Sequence, residues 1–167
     1  LKAQQDWAQA DPRLAAARAD APYAVLPNGA AQITLAFYGK EYRIPHPQGP
    51  ILEVDGGRDA PPTTQILLLH YLLTADGTLP SGEWVSFHEL PDGRIYQAAF
   101  AGRALSPLAA VFGADRDGFV RAATALGGQP MRLGDASFWF RAFPRLAVAV
   151  TLWLGEEDLP GEANILF

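Results

Sequence analysis

Two periods of apolar and polar residues divide this chain. Near the N-terminus, A-Q-Q-D-W-A-Q-A-D-P-R-L-A-A-A-R-A (3–19) reads as helix, and Pro12 splits it in two because proline disrupts a helix interior. The period then shortens. I-T-L-A-F-Y (33–38) and E-Y-R-I-P (41–45), joined at Gly39-Lys40, predict a β-hairpin, and Ile51 to Val54 predicts a third strand stopped by D-G-G. The helical period returns in T-T-Q-I-L-L-L-H-Y-L-L-T-A-D-G. Thr63 or Thr64 is placed to cap its start and Gly77 to end it. Apolar residues cover most of its circumference, which predicts a helix running through the core.

Further along, W-V-S-F-H-E-L and R-I-Y-Q-A-A-F predict two strands across the turn P-D-G. S-P-L-A-A-V-F-G predicts a helix capped by Ser106, opened by Pro107 and stopped at Gly113. D-R-D-G-F-V-R-A-A-T-A-L-G-G predicts another, ending at Gly127-Gly128. S-F-W-F-R-A-F and L-A-V-A-V-T-L-W, joined through Pro144-Arg145, predict a last antiparallel pair. The expected fold is a single α+β domain over residues 1–167. In it, antiparallel hairpins pack on a buried central helix with short helices added, after a helical segment at about 1–20.

Composition narrows the functional classes. With 167 residues, of which 49% are apolar, the chain can bury one substantial core. The net charge is -5, and no stretch combines repeated Lys or Arg with aromatics. No nucleic-acid partner is expected, because a phosphate backbone requires a concentrated positive footprint. There are no cysteines, so disulfides, thiolate zinc sites and cysteine nucleophiles are excluded, which fits a reducing compartment. The apolar runs fall far short of the roughly 20 residues of a membrane-spanning helix, so a soluble, cytoplasmic protein is expected.

G-K-E-Y-R-I-P-H-P, I-L-L-L-H-Y-L-L-T-A-D-G, S-G-E-W-V-S-F-H-E-L and L-G-G-Q-P stand in this order. They are followed by F-P-R-L-A-V-A-V-T-L-W-L-G-E-E-D-L-P and A-N-I-L-F. These blocks, from about residue 25 onward, resemble the bacterial and archaeal family called domain of unknown function 3786. The resemblance implies no established activity and no catalytic residues. Some relatives look like fusions to cysteine-rich iron–sulfur modules in anaerobes with corrinoid chemistry, which implies a redox or cofactor-linked setting. This cysteine-free chain cannot hold such a cluster through thiolates.

Residue types that can carry chemistry are scattered. Glu156, Glu157 and Asp158 offer hard oxygen ligands for calcium or magnesium, but their spacing is not that of an EF-hand. A solvated loop at the end of a buried strand is the plainer reading. His46, His70 and His88 stand on different predicted elements without a metal-binding motif. His70 reads as a hydrogen-bonded core residue. His88, on its predicted strand, shares a face with Trp84 and Ser86, while Glu89 points away. Arg103 is a candidate anion or acid partner. Trp84, Trp139 and Trp153 are candidates for gripping a flat cofactor, although aromatics are normal core material.

The leading expectation is a non-catalytic domain that binds a small molecule or a protein partner. The alternative is an enzyme or accessory redox factor using His88, Arg103 and the carboxylates of 156–158 around an aromatic cleft. Whether it is an enzyme, and which cofactor it would use, stay open in the sequence.

Overall fold

The computed structural model describes residues 2–167 and divides into two compact units. The first comprises the chain up to Pro80 together with Ala142–Arg145, and the second comprises Ser81–Arg141 and Leu146–Phe167. Each carries a four-stranded sheet, so the architecture is α+β.

The first unit opens with helices α1 (Lys2–Gln9) and α2 (Pro12–Ala19). Asp11 separates them: its carboxylate accepts the N–H groups of Arg13 and Leu14 at 2.9 and 3.1 Å, and Pro12 occupies the first turn of α2. Strands β1 (Tyr23–Val25), β2 (Ala31–Phe37), β3 (Lys40–His46) and β4 (Leu52–Glu53) follow in antiparallel sequential order. The predicted β2–β3 hairpin is present. Its turn falls at Tyr38-Gly39, one residue earlier than expected, and both residues have positive φ, 47° and 77°. Such primed turns match the twist of the flanking strands.

In this hairpin Ile33 pairs with Ile44 and Leu35 with Tyr42, and all four side chains are buried. Helix α3 (Pro62–Thr74) buries Leu68, Leu69 and Leu72, and α1 and α2 pack on it. The segment 142–145 completes the unit. Phe143 stacks on Tyr71 at 4.2 Å and lies 4.8 Å from Phe37. The Tyr38 N–H donates to the Ala142 carbonyl at 3.0 Å, and the Arg145 N–H donates to the Tyr71 hydroxyl at 3.1 Å. Burial raises the pKa of the Tyr71 phenol.

The second unit holds β5 (Gln129–Pro130), β6 (Ala136–Phe143), β7 (Leu146–Trp153) and β8 (Glu162–Leu166) in that order, with the β6–β7 tip counted in the first unit. One helical run crosses it: α4 (Gly93–Phe100), a π turn (Ala101–Leu105) and α5 (Ser106–Phe112). Helix α6 (Arg116–Ala125) follows, with the Asp115 carboxylate accepting the Gly118 N–H at 2.8 Å. Phe119 and Ala123 of α6 meet Phe138, Phe140 and Leu152 in the core, Phe119 edge-on to Phe138 at 5.8 Å.

Several expectations are corrected. The run at 84–100 is not a pair of strands. Val85 exchanges two backbone hydrogen bonds with Phe167, each 2.9 Å, and the chain then winds into a short 3-10 helix at Phe87–Glu89. The turn at P-D-G is real, with the Gly93 N–H bonded to the Leu90 carbonyl at 2.9 Å, but it leads into α4. Helicity is what lays Phe100 flat on Phe87 at 4.1 Å, beside Phe167. Ser106 lies inside the continuous helical run and caps nothing. Helix α3 starts at Pro61-Pro62 without a threonine cap, and only one of its faces is buried. His70 stands on the exposed side, not in the core.

Candidate functional site

A cavity of about 390 Å³ opens in the first unit where α1 meets the end of β3 and the turn after it. Helix periodicity brings Gln4, Gln5, Trp7 and Ala8 of α1 to one side. Ile44, Pro45 and Ile51 form the wall opposite, Leu69 of α3 closes the back, and Pro47, Gln48 and Gly49 form the lip. Two of these sides are fixed by the core itself, since Ile44, Ile51 and Leu69 are buried. The Trp7 indole N–H donates to the Pro45 carbonyl at 3.0 Å, and its ring meets the His46 imidazole edge-on at 5.0 Å. Gly49 has φ 145°, and a Cβ there would stand 2.7 Å from the Pro45 ring, so the lip closes only with glycine.

The chemistry of this lining is specific. Among the described residues it contains carboxamides, prolines, an indole and aliphatic groups, and no ionisable or nucleophilic side chain. Behind it, His46 Nε2 is buried without a hydrogen-bond partner. Nothing in the periodicity of the sequence marked these residues. The available signals were local: two prolines flanking a histidine in P-H-P-Q-G, and paired glutamines one turn from a tryptophan.

The acidic segment lies in the second unit, against the end of α5. Gly155 donates its N–H to the Gly113 carbonyl at 2.9 Å, and the Leu159 N–H bonds to the Glu156 carbonyl at 3.0 Å, so Glu157 and Asp158 form the tip of a tight turn. All three acids are exposed. All three acids line an open hollow of about 740 Å³ formed by residues 155–159 alone. A second hollow beside it, about 550 Å³, takes Glu156 from the turn and is walled largely by Ala109, Ala110, Gly113, Gly155 and Gly161. A Cβ on Gly161 would lie 2.5 Å from the Gly113 Cα and carbonyl oxygen, which explains the glycines by close backbone approach. Among the described residues, no group of three His, Asp or Glu side chains is placed to hold a metal ion.

His88 is exposed on the 3-10 helix, and this overturns its placement on a strand face with Trp84 and Ser86. Its Nδ1 is 2.9 Å from the Ser86 hydroxyl oxygen. Glu89, expected to point away, instead turns back: its carboxylate accepts the Ser86 amide at 2.7 Å and the Ser86 hydroxyl at 2.5 Å. These bonds hold the Glu89 carboxyl below the usual glutamate range. With the hydroxyl proton given to Glu89, the imidazole donates to Ser86, and the serine is a capping group in this arrangement.

Arg103 is exposed on the π turn, and among the described residues no hydrogen bond or ion pair joins it to His88 or to the acids of 156–158. Trp84 and Trp153 are exposed, while Trp139 is half-buried with the Arg141 guanidinium 5.9 Å from its ring centre. None of the three lines any hollow described above.

Comparison with known proteins places the chain in a family. The model described as "Domain of unknown function (DUF3786)" matches residues 11–167, and the chain belongs to that family. No curated protein and no solved structure matches.

Proposed function

We propose that this member of the family is a non-catalytic binding domain, and that the cavity between α1 and β3 receives a small neutral ligand. The observation that carries the reading is the chemistry of the lining: a preformed cavity of about 390 Å³ where, among the described residues, no ionisable or nucleophilic side chain stands. General acid–base or nucleophilic catalysis needs a titrating or nucleophilic group within hydrogen-bond reach of the reacting atom. Binding needs only apolar contact and a few polar groups to fix orientation. Trp7, Pro45, Pro47 and Ile51 supply the first, and the carboxamides of Gln4, Gln5 and Gln48 supply donors and acceptors for the second.

The ligand class that fits has an apolar body and uncharged polar groups such as amides. A charged ligand would surrender its hydration and meet no countercharge in the lining. The test is a titration of the ¹⁵N-labelled protein with a set of neutral amide-bearing fragments, repeated on Ala8→Trp, which fills the cavity. Saturable shifts clustered at residues 4–8 and 45–51, lost in Ala8→Trp, support the reading. Anionic fragments binding better than neutral ones, or binding that survives the filled cavity, would sink it.

A further inference from the structure

The helical run Gly93–Phe112 carries a second, unrelated surface. Exposure recurs along it at every fourth position. Ala98, Gly102, Ser106 and Ala110 are open, each followed by another exposed residue, and the residues between these pairs are half-buried. On an uninterrupted α-helix a four-residue repeat advances about 40°, so three repeats would wind the stripe about 120° around the axis. The wider π turn at Ala101–Leu105 takes up part of that rotation and keeps the stripe on one side.

Large apolar groups stand at both ends of this stripe. Ile95 is 76% exposed and Tyr96 62% at one end, and Val111 is 65% exposed at the other, where the acidic turn adds Leu159 at 67%. Gly102 lies between them. Glycine weakens a helix interior, and among the described residues no atom outside its own helical turn lies within 4 Å of the place its Cβ would take. Another helix backbone approaching closely would use it.

The charges select the occupant. Arg94 marks the Ile95 end, Arg103 adjoins Gly102, and Glu156, Glu157 and Asp158 mark the Val111 end, held there by the bond from Gly155 to Gly113. A second copy laid parallel would set like charge on like. Laid antiparallel about a twofold axis near Gly102, the copies bring the two exposed Arg103 side chains near each other, where solvent screens them, while the Arg94 end of each copy meets the acidic turn of the other and Ile95 and Tyr96 meet Val111 and Leu159.

We propose that the chain self-associates in this antiparallel way through the outer face of Gly93–Phe112. One helix of about 30 Å covers less surface than a standard stable interface, so the dimer is weak and depends on concentration and salt.

Sedimentation equilibrium from low to high micromolar concentration tests the idea on the full chain. Gly102→Leu, which has room for its side chain and raises helix propensity, is expected to be monomeric with an unchanged circular dichroism spectrum. Arg94→Glu is expected to weaken association tenfold or more. Combining it with Glu156→Lys and Glu157→Lys in one chain should restore association, because the swap preserves opposite charges only in the antiparallel arrangement. A wild-type chain monomeric throughout, a dimer indifferent to Gly102→Leu, or a charge swap that fails to restore association would each overturn the proposal.

Discussion

The cavity between α1 and β3 and the hollow beside the end of α5 differ in size and are opposite in construction. The one in the first unit is walled by side chains whose far sides are already committed to the core, Ile44, Ile51 and Leu69 among them. The one in the second unit is larger but walled mainly by alanines and glycines, where two stretches of backbone come together at Gly113 and Gly161. Volume alone would rank the second higher. Wall chemistry reverses the order, because a ligand gains from contact with fixed side chains and gains little from exposed backbone packed for its own reasons.

That contrast can be broken by substitution. The largest effect is expected for Leu69→Ala, which empties core volume behind the first cavity. A loss of about 2–5 kcal/mol follows from deleting a buried leucine, read by urea denaturation. A loss under about 1 kcal/mol would mean that the wall collapses freely and the cavity is not fixed. Gly161→Ala probes the second hollow. Its Cβ meets the backbone of Gly113, which cannot swing away as a side chain can, so about 1–3 kcal/mol is expected from overpacking. If this variant is as stable as wild type, the close approach is not what shapes the acidic turn.

Gly49→Ala comes next, at about 1–2 kcal/mol for a residue forced to positive φ. Its more telling effect is on the lip: fragment binding at residues 4–8 should weaken more than stability does, whereas Gly161→Ala should leave that binding unchanged. Equal effects of the two on binding would erase the distinction between the hollows.

The smallest effect is electrostatic. Glu53 accepts hydrogen bonds from Lys40 at 3.3 Å and Arg58 at 3.0 Å, and these hold its carboxyl below the usual glutamate range. A carboxyl depressed in the folded state stabilises the fold above its unfolded pKa, and that contribution disappears as pH falls through the folded value. Glu53→Gln should therefore lower Tm slightly at neutral pH, with the gap closing in acid below the ordinary glutamate range. A gap independent of pH would assign the effect to packing.

How much of this was legible beforehand depends on the range of the interactions. The β2–β3 hairpin was readable because alternation and a glycine turn are local, and the α1–α2 break because Pro12 is local. The segment 84–100 is not legible in this way, because short apolar alternation does not separate strand from helix. What decides the matter is the meeting of Phe87, Phe100 and Phe167, residues far apart in sequence. The one local signal for a helix there is Q-A-A-F-A-G-R-A-L, rich in small helix formers. The acidic turn was readable as a solvated end to β7. The cavity was not, since α1, β3 and α3 supply its walls from separate parts of the chain and its residues are ordinary ones. The orphaned Nε2 of His46 is likewise a property of the packed state alone.

The tip of the β6–β7 hairpin gives the first unit a discontinuous origin in the chain, since Ala142–Arg145 joins residues made much earlier. During synthesis the Tyr71 hydroxyl and the Tyr38 amide must wait for a segment some seventy or more positions downstream before they find Arg145 and Ala142. The ribosome thus releases an N-terminal half that is complete in its helices and hairpin and unfinished in its packing. Truncation at Pro80 should produce that same unfinished species permanently, so a binding assay on such a fragment would report on an intermediate of biosynthesis, and the cavity is to be judged in a chain that includes Ala142–Arg145.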